Sequence, residues 1–189
     1  VSVAYHTGQL PVYYNHPKGS SWQQGASIGF VNCVDCPHTP RYFFGHGLSY
    51  TTFAYSNLQV DKKEAEPFEE VHISCDIANT GDVAGTEVVQ LYLKDVHASM
   101  VRPCMELQGF ARVELQPGEK KRVTFTVSPD QTAFLDLAMN WKVEKGEISV
   151  LVGSSSADIR CQDAFCITET APVVGRKRRF WAKAQQMSL

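Results

Sequence analysis

Apolar and polar residues alternate with period two in several short stretches of this chain, and the breaks between them fall on turn-forming residues. In Val71-His72-Ile73-Ser74-Cys75-Asp76-Ile77 the alternation sends Val71, Ile73, Cys75 and Ile77 to one face, which predicts a strand buried on that side. Asn79-Thr80-Gly81-Asp82 then supplies residues that tolerate left-handed backbone or bond their own main chain, and Gly85 adds a second break. Glu87 to Lys94 places Val89, Leu91 and Leu93 on one face and Val88, Gln90 and Tyr92 on the other, so an inner or partly covered strand is expected. Leu107 to Leu115 and Arg122 to Val127 are two further strands; the Gln116-Pro117-Gly118-Glu119 turn between them predicts a hairpin. Phe134-Leu135-Asp136 and Trp141-Lys142-Val143 read as short pieces, and Ile148 to Val152 as a strand with Ile148, Val150 and Val152 inward. Helical periodicity is almost absent. Short strands with turns about every ten residues predict an all-β sandwich.

The flanks differ. Residues 1–56 are rich in aromatics, Gly, Pro, Asn and His without a sustained period, and read mostly as loop. Val1-Ser2-Val3-Ala4-Tyr5 lacks the basic region and cleavage pattern of a signal peptide and resembles a strand entered midway, which suggests coding sequence upstream. Gly175 to Leu189, with Arg176-Lys177-Arg178-Arg179 before Phe180 and Trp181, reads as a short helix or an ordered arm.

Composition narrows the function classes. With 43% hydrophobic and 20% charged residues, the 189-residue chain matches neither a disordered nor a fibrous polymer. A net charge of -2 offers no global attraction to nucleic acid or anionic membrane, and no apolar run approaches a spanning helix. The six cysteines (Cys33, Cys36, Cys75, Cys104, Cys161 and Cys166) do not form a compact disulfide framework; reduced thiols and a cytoplasmic setting are the expectation.

Two stretches go beyond a generic sandwich. Gly8-Gln9-Leu10-Pro11-Val12-Tyr13-Tyr14-Asn15-His16, followed by Pro40-Arg41-Tyr42-Phe43-Phe44-Gly45-His46-Gly47-Leu48-Ser49-Tyr50-Thr51-Thr52-Phe53, resembles the junction of family 3 glycoside hydrolases. There the second catalytic domain ends and a fibronectin type III-like domain begins. Asn79-Thr80-Gly81-Asp82-Val83-Ala84-Gly85-Thr86-Glu87-Val88-Val89-Gln90-Leu91-Tyr92, then Leu107-Gln108-Gly109-Phe110 and Pro117-Gly118-Glu119, is similar in order and spacing to that sandwich domain. One departure is Pro17 to Gln24, where many relatives carry a lysine-rich segment ending in Gly-Arg. The resemblance implies an immunoglobulin- or fibronectin type III-like sandwich over residues 57–168. Residues 1–56 would be a loop-rich remnant of the preceding α/β domain with its linker, and residues 169–189 a C-terminal extension. Tyr42, Phe43, Phe44, Tyr50 and Phe53 would pack a domain boundary, with sugar contact as the alternative.

Retaining hydrolysis needs two carboxyl groups about 5 Å apart, one a nucleophile and one an acid and base. The resemblance implies that both come from the preceding domains, so no catalytic residue is assigned to this chain. Glu69 and Glu70 adjoin a strand that would send them to opposite faces, and Asp61, Glu64 and Glu66 read as solvated. Cys33-x2-Cys36 with His38 and His46 supplies zinc-type donors, but one such pair is an incomplete site, so no metal or cofactor residue is assigned. Cys75 reads as core. Ser49 and Ser154 to Ser156 lack a nucleophile elbow. The Arg176 to Arg179 cluster reads as a solvated arm or a clamp rather than a nucleic-acid site.

The expected function is therefore a non-catalytic structural module of a β-glucosidase- or β-xylosidase-like enzyme. Its expected partners are the preceding catalytic domains and, when these are absent, copies of itself. The rival is a carbohydrate-binding or protein-interaction sandwich, with Trp22, Trp141 and Trp181 as stacking candidates and Trp141 the most core-like of the three.

Overall fold

The computed structural model describes residues 1–9, 12–17 and 39–189, and among these residues eleven of twelve strands lie between Phe53 and Pro172. The strands are β1 (Phe53–Val60), β2 (Glu64–Ala65), β3 (Val71–Asn79), β4 (Gly85–Asp95), β5 (Glu106–Leu115) and β6 (Lys120–Val127). After one 3-10 turn at Pro129–Thr132 come β7 (Phe134–Leu135), β8 (Trp141–Val143), β9 (Gly146–Ser155), β10 (Asp158–Ile167), β11 (Ala171–Pro172) and β12 (Lys183–Ser188). One sheet runs β1-β3-β6-β12 and the facing sheet β2-β10-β9-β4-β5; β11-β8-β7 form a small third sheet. This is the β-sandwich expected from the alternation.

The period-two positions build the core. Val71, Ile73, Cys75 and Ile77 of β3 and Val123, Phe125 and Val127 of β6 are buried against Val89, Leu91 and Leu93 of β4 and Ile148, Val150 and Val152 of β9. Burying one such side chain contributes roughly 1.5–3 kcal/mol, which makes this layer the main source of stability. The second face of β4 is covered as well: Gln90 and Tyr92 are both buried, and β4 lies between β9 and β5.

The expected hairpin between Leu107–Leu115 and Arg122–Val127 does not form. β5 bonds to β4, while β6 crosses over and bonds to β3. The cause lies in the turn: Asn79 N–H donates to Glu119 O at 3.0 Å, and Gly118 N–H donates to Asn79 O at 3.1 Å. The turn is thus tied to the end of β3, and the two strands face each other across the core.

Five strands were not foreseen: the two-residue β2 and β11, and the longer β1, β10 and β12. β1 begins inside the stretch read as loop and bulges between Ser56 and Gln59, where Asn57 adopts φ +53. β10 carries too mixed a pattern for simple alternation. β12 replaces the helix-or-arm reading of the C-terminus with a strand on β6, reached by an ordered arm.

Candidate functional site

The motif residues divide into those that hold the chain together and those that line an opening. Asn79, 1% exposed, is of the first kind. Its amide Nδ2 donates to Val83 O (2.8 Å) and Leu115 O (3.1 Å), and its Oδ1 accepts from Thr51 Oγ1 (2.6 Å) and Gly81 N–H (3.1 Å). A Cβ at Gly81 would lie 2.4 Å from Thr51 Oγ1, which explains the glycine there.

The N-terminal segment is tied to β4 and β5 by Tyr14. Its ring stacks on Phe44 at 4.2 Å and meets Tyr92 edge-on at 5.8 Å, and its hydroxyl accepts the Leu107 N–H at 3.1 Å. Gln90 pins the following loop: its Nε2 donates to Gly45 O (3.1 Å) and Ser154 O (2.6 Å), and its Oε1 accepts from Tyr92 Oη (2.6 Å). Gly45 sits at φ +81, and a Cβ there would come within 2.1 Å of Gln90 Oε1. Phe43 and Phe44 are half-buried, whereas Tyr50 is fully exposed and Tyr42 stacks on His46 at 5.1 Å.

Between this linker and the β4–β10 side lies a cavity of about 650 Å³, lined by Phe44, Leu48, Phe53, Glu87, Phe110 and Arg160 among others. Asp158 and Arg160 form a bidentate pair at 2.5 and 2.7 Å, and Ser154 Oγ donates to Asp158 at 2.7 Å. Glu87 is different. Its Oε1 accepts the Val88 N–H at 2.9 Å, no ion pair reaches it among the described residues, and burial raises its pKa. The buried Tyr55 hydroxyl lies beside the Glu87 carboxylate without a well-aligned hydrogen bond to it; burial, followed by the Glu87 charge, pushes the tyrosine pKa far up, and the tyrosine in turn draws the Glu87 pKa down. Neither Glu87 nor Arg160 was singled out from the sequence; β1 and β10, which bring Tyr55, Asp158 and Arg160 to Glu87, were not foreseen.

The sequence candidates fall elsewhere. Glu69 pairs with Lys62, Glu70 with Arg179 at 3.1 Å, and Asp61 accepts the His72 N–H at 2.8 Å; Glu64 and Glu66 are exposed. Ser154 serves Asp158, Ser155 Oγ caps the following turn by accepting the Asp158 N–H at 3.1 Å, and Ser156 is buried. Burial pushes the Cys75 thiol up to about 12, with Cys161 adding to the effect, so it is a packing residue. Cys33, Cys36, His38 and Trp22 lie outside the described residues. Arg178 stacks over Trp141 (4.6 Å) and Phe180 (4.7 Å) and donates to Gln131 O and Ala133 O, making it a clamp within this chain. Trp141 therefore has one face covered, while Trp181 is 58% exposed.

Residues 87–156 match the model of the fibronectin type III-like domain. Over 172 residues the chain is 40% identical to thermostable β-glucosidase B of Acetivibrio thermocellus, covering 89% of this chain and 22% of that protein. It is 38% identical to a putative β-xylosidase of Formosa agariphila, with 85% and 20% covered. The chain belongs with the C-terminal region of family 3 glycoside hydrolases. A β-glucosidase from Listeria innocua in complex with glucose superposes on this chain with a TM-score of 0.78 at 36% identity, over 88% of this chain and 23% of that one. The chain thus spans about a fifth of the length of these relatives.

Proposed function

We propose that this fragment is the non-catalytic C-terminal structural module of a longer retaining glycoside hydrolase acting on β-glycosidic bonds, and that none of its own residues is catalytic or binds a metal or cofactor. The observation that carries this is the asymmetry of coverage: 89% of the chain aligns with 22% of a β-glucosidase. Residues 1–56 would be the end of an α/β domain and its linker, 57–168 the sandwich, and 169–189 an extension; β1 and β12 stitch across those limits. The module would hold the catalytic domains through its linker face, where Leu48 (94% exposed) and Tyr50 are bare. An antibody against this chain should detect a native polypeptide several-fold heavier than 21.0 kDa; a band at 21.0 kDa overturns the reading.

Without those domains the bare residues make an apolar patch, so the isolated chain self-associates. Sedimentation at rising concentration should show species heavier than the monomer, and a clean monomer would refute this.

A further inference from the structure

We propose that the cavity beside the linker is a docking socket for an arginine or lysine side chain presented by the catalytic domains of the same polypeptide, with Glu87 as its counter-ion. This rests on the module reading above.

The argument is one of charge and shape. Three ionised groups stand at this site. Asp158 and Arg160 neutralise one another through two short bonds, which leaves the Glu87 carboxylate as the net charge facing the cavity. A half-buried carboxylate has lost hydration, and among the described residues no cation forms a direct ion pair with it in return, since Arg160, whose charge reaches it, is bonded to Asp158. Burial raises its pKa, against the opposing pull of the Val88 N–H, the neighbouring Tyr55 and the Arg160 charge. The polar end is framed by apolar surface: Val88 and Phe110 are 36% and 55% exposed, and Leu48 stands beside them. A charged head at the Glu87 end and aliphatic walls toward the mouth match a guanidinium or ammonium on its methylene stem. Arginine suits such a half-dry site better, because it is more weakly hydrated and bonds a carboxylate in bidentate fashion. The occupant is assigned to the same polypeptide because the 44–53 linker, which would lead back to the preceding domains, forms one wall.

The test uses the 189-residue chain labelled with 15N and titrated with N-acetyl-arginine methylamide or with its neutral isostere, N-acetyl-citrulline methylamide. The amides of Glu87 and Val88 should shift saturably with the arginine probe, with citrulline about tenfold weaker. Glu87→Gln, which keeps the shape, should remove that difference while circular dichroism stays unchanged. Phe110→Ser should weaken both probes alike. Equal responses to the two probes, an arginine response that survives in E87Q, or saturable shifts with cellobiose instead would overturn the socket. A heavy native polypeptide together with a silent Glu87 would overturn the socket alone. A native band of 21.0 kDa would remove the same-chain partner whatever the titration shows.

Discussion

Two carboxylates of this sandwich occupy opposite situations. Asp76 lies on β3, on the face turned away from the core, yet is 1% exposed because its neighbours close over it. Arg122, its cross-strand partner, binds it at 2.6 and 3.1 Å, Asn57 donates at 2.8 Å from the β1 bulge, and Lys120 lies at 3.2 Å. These partners, Arg122 foremost, hold the Asp76 carboxyl well below the usual range. Glu87 lies on β4, facing a cavity; burial raises its pKa and no cation bonds to it among the described residues. A carboxylate whose partners all come from its own sheet is structural. One that is desolvated before a partner arrives marks a surface prepared for something else.

The sharpest way to break this contrast is on the closed side. Asn79→Ala would orphan Val83 O, Leu115 O, Gly81 N–H and the Thr51 hydroxyl together and should cost about 3 kcal/mol in urea unfolding. A cost below about 1 kcal/mol would mean that water replaces these bonds freely.

Asp76→Asn should cost about 2 kcal/mol, less than a fully buried pair because Arg122 and Lys120 keep access to water. The folded pKa is depressed, so the contribution of Asp76 is present above the unfolded value of about 3.9 and lost as pH falls below it. Wild type and D76N should therefore converge in stability as the medium is acidified from about pH 4.

Arg178→Ala tests the C-terminal clamp and should cost about 1–2 kcal/mol, with faster amide exchange along β12 as its local signature. Unchanged exchange would show that β12 holds to β6 without the clamp.

The smallest effect belongs to the open side. Glu87→Gln should lie within about 1 kcal/mol of wild type. Its pH dependence has the opposite sign: a raised folded pKa gives a contribution that is full below about pH 4.3 and lost as pH rises through the folded value. E87Q should gain on wild type between pH 4 and 7; a relative loss would reveal a cation already in place and erase the contrast.

The sandwich was legible because burial on one face of a strand writes itself as period two, and β3, β4, β6 and β9 all carry it. The module itself was legible through the resemblance that its glycine and asparagine motifs carry, although contacts they make, such as Gly81 against Thr51, join residues distant in sequence. The cavity was not. Tyr55, Glu87, Asp158 and Arg160 come from three strands, two of them, β1 and β10, without simple alternation, and no local rule places them together. The hairpin expectation failed for a related reason: a Pro-Gly turn fits a sheet-to-sheet crossing as well as a hairpin, and the choice was made by backbone bonds from the turn to Asn79, far away in sequence. The chain by itself determined which faces are apolar and where it turns, since both depend on neighbouring residues. Which strands pair, which carboxylate is closed and which is left open were decided only in the tertiary structure, because charge pairing and desolvation depend on residues brought together across the two sheets.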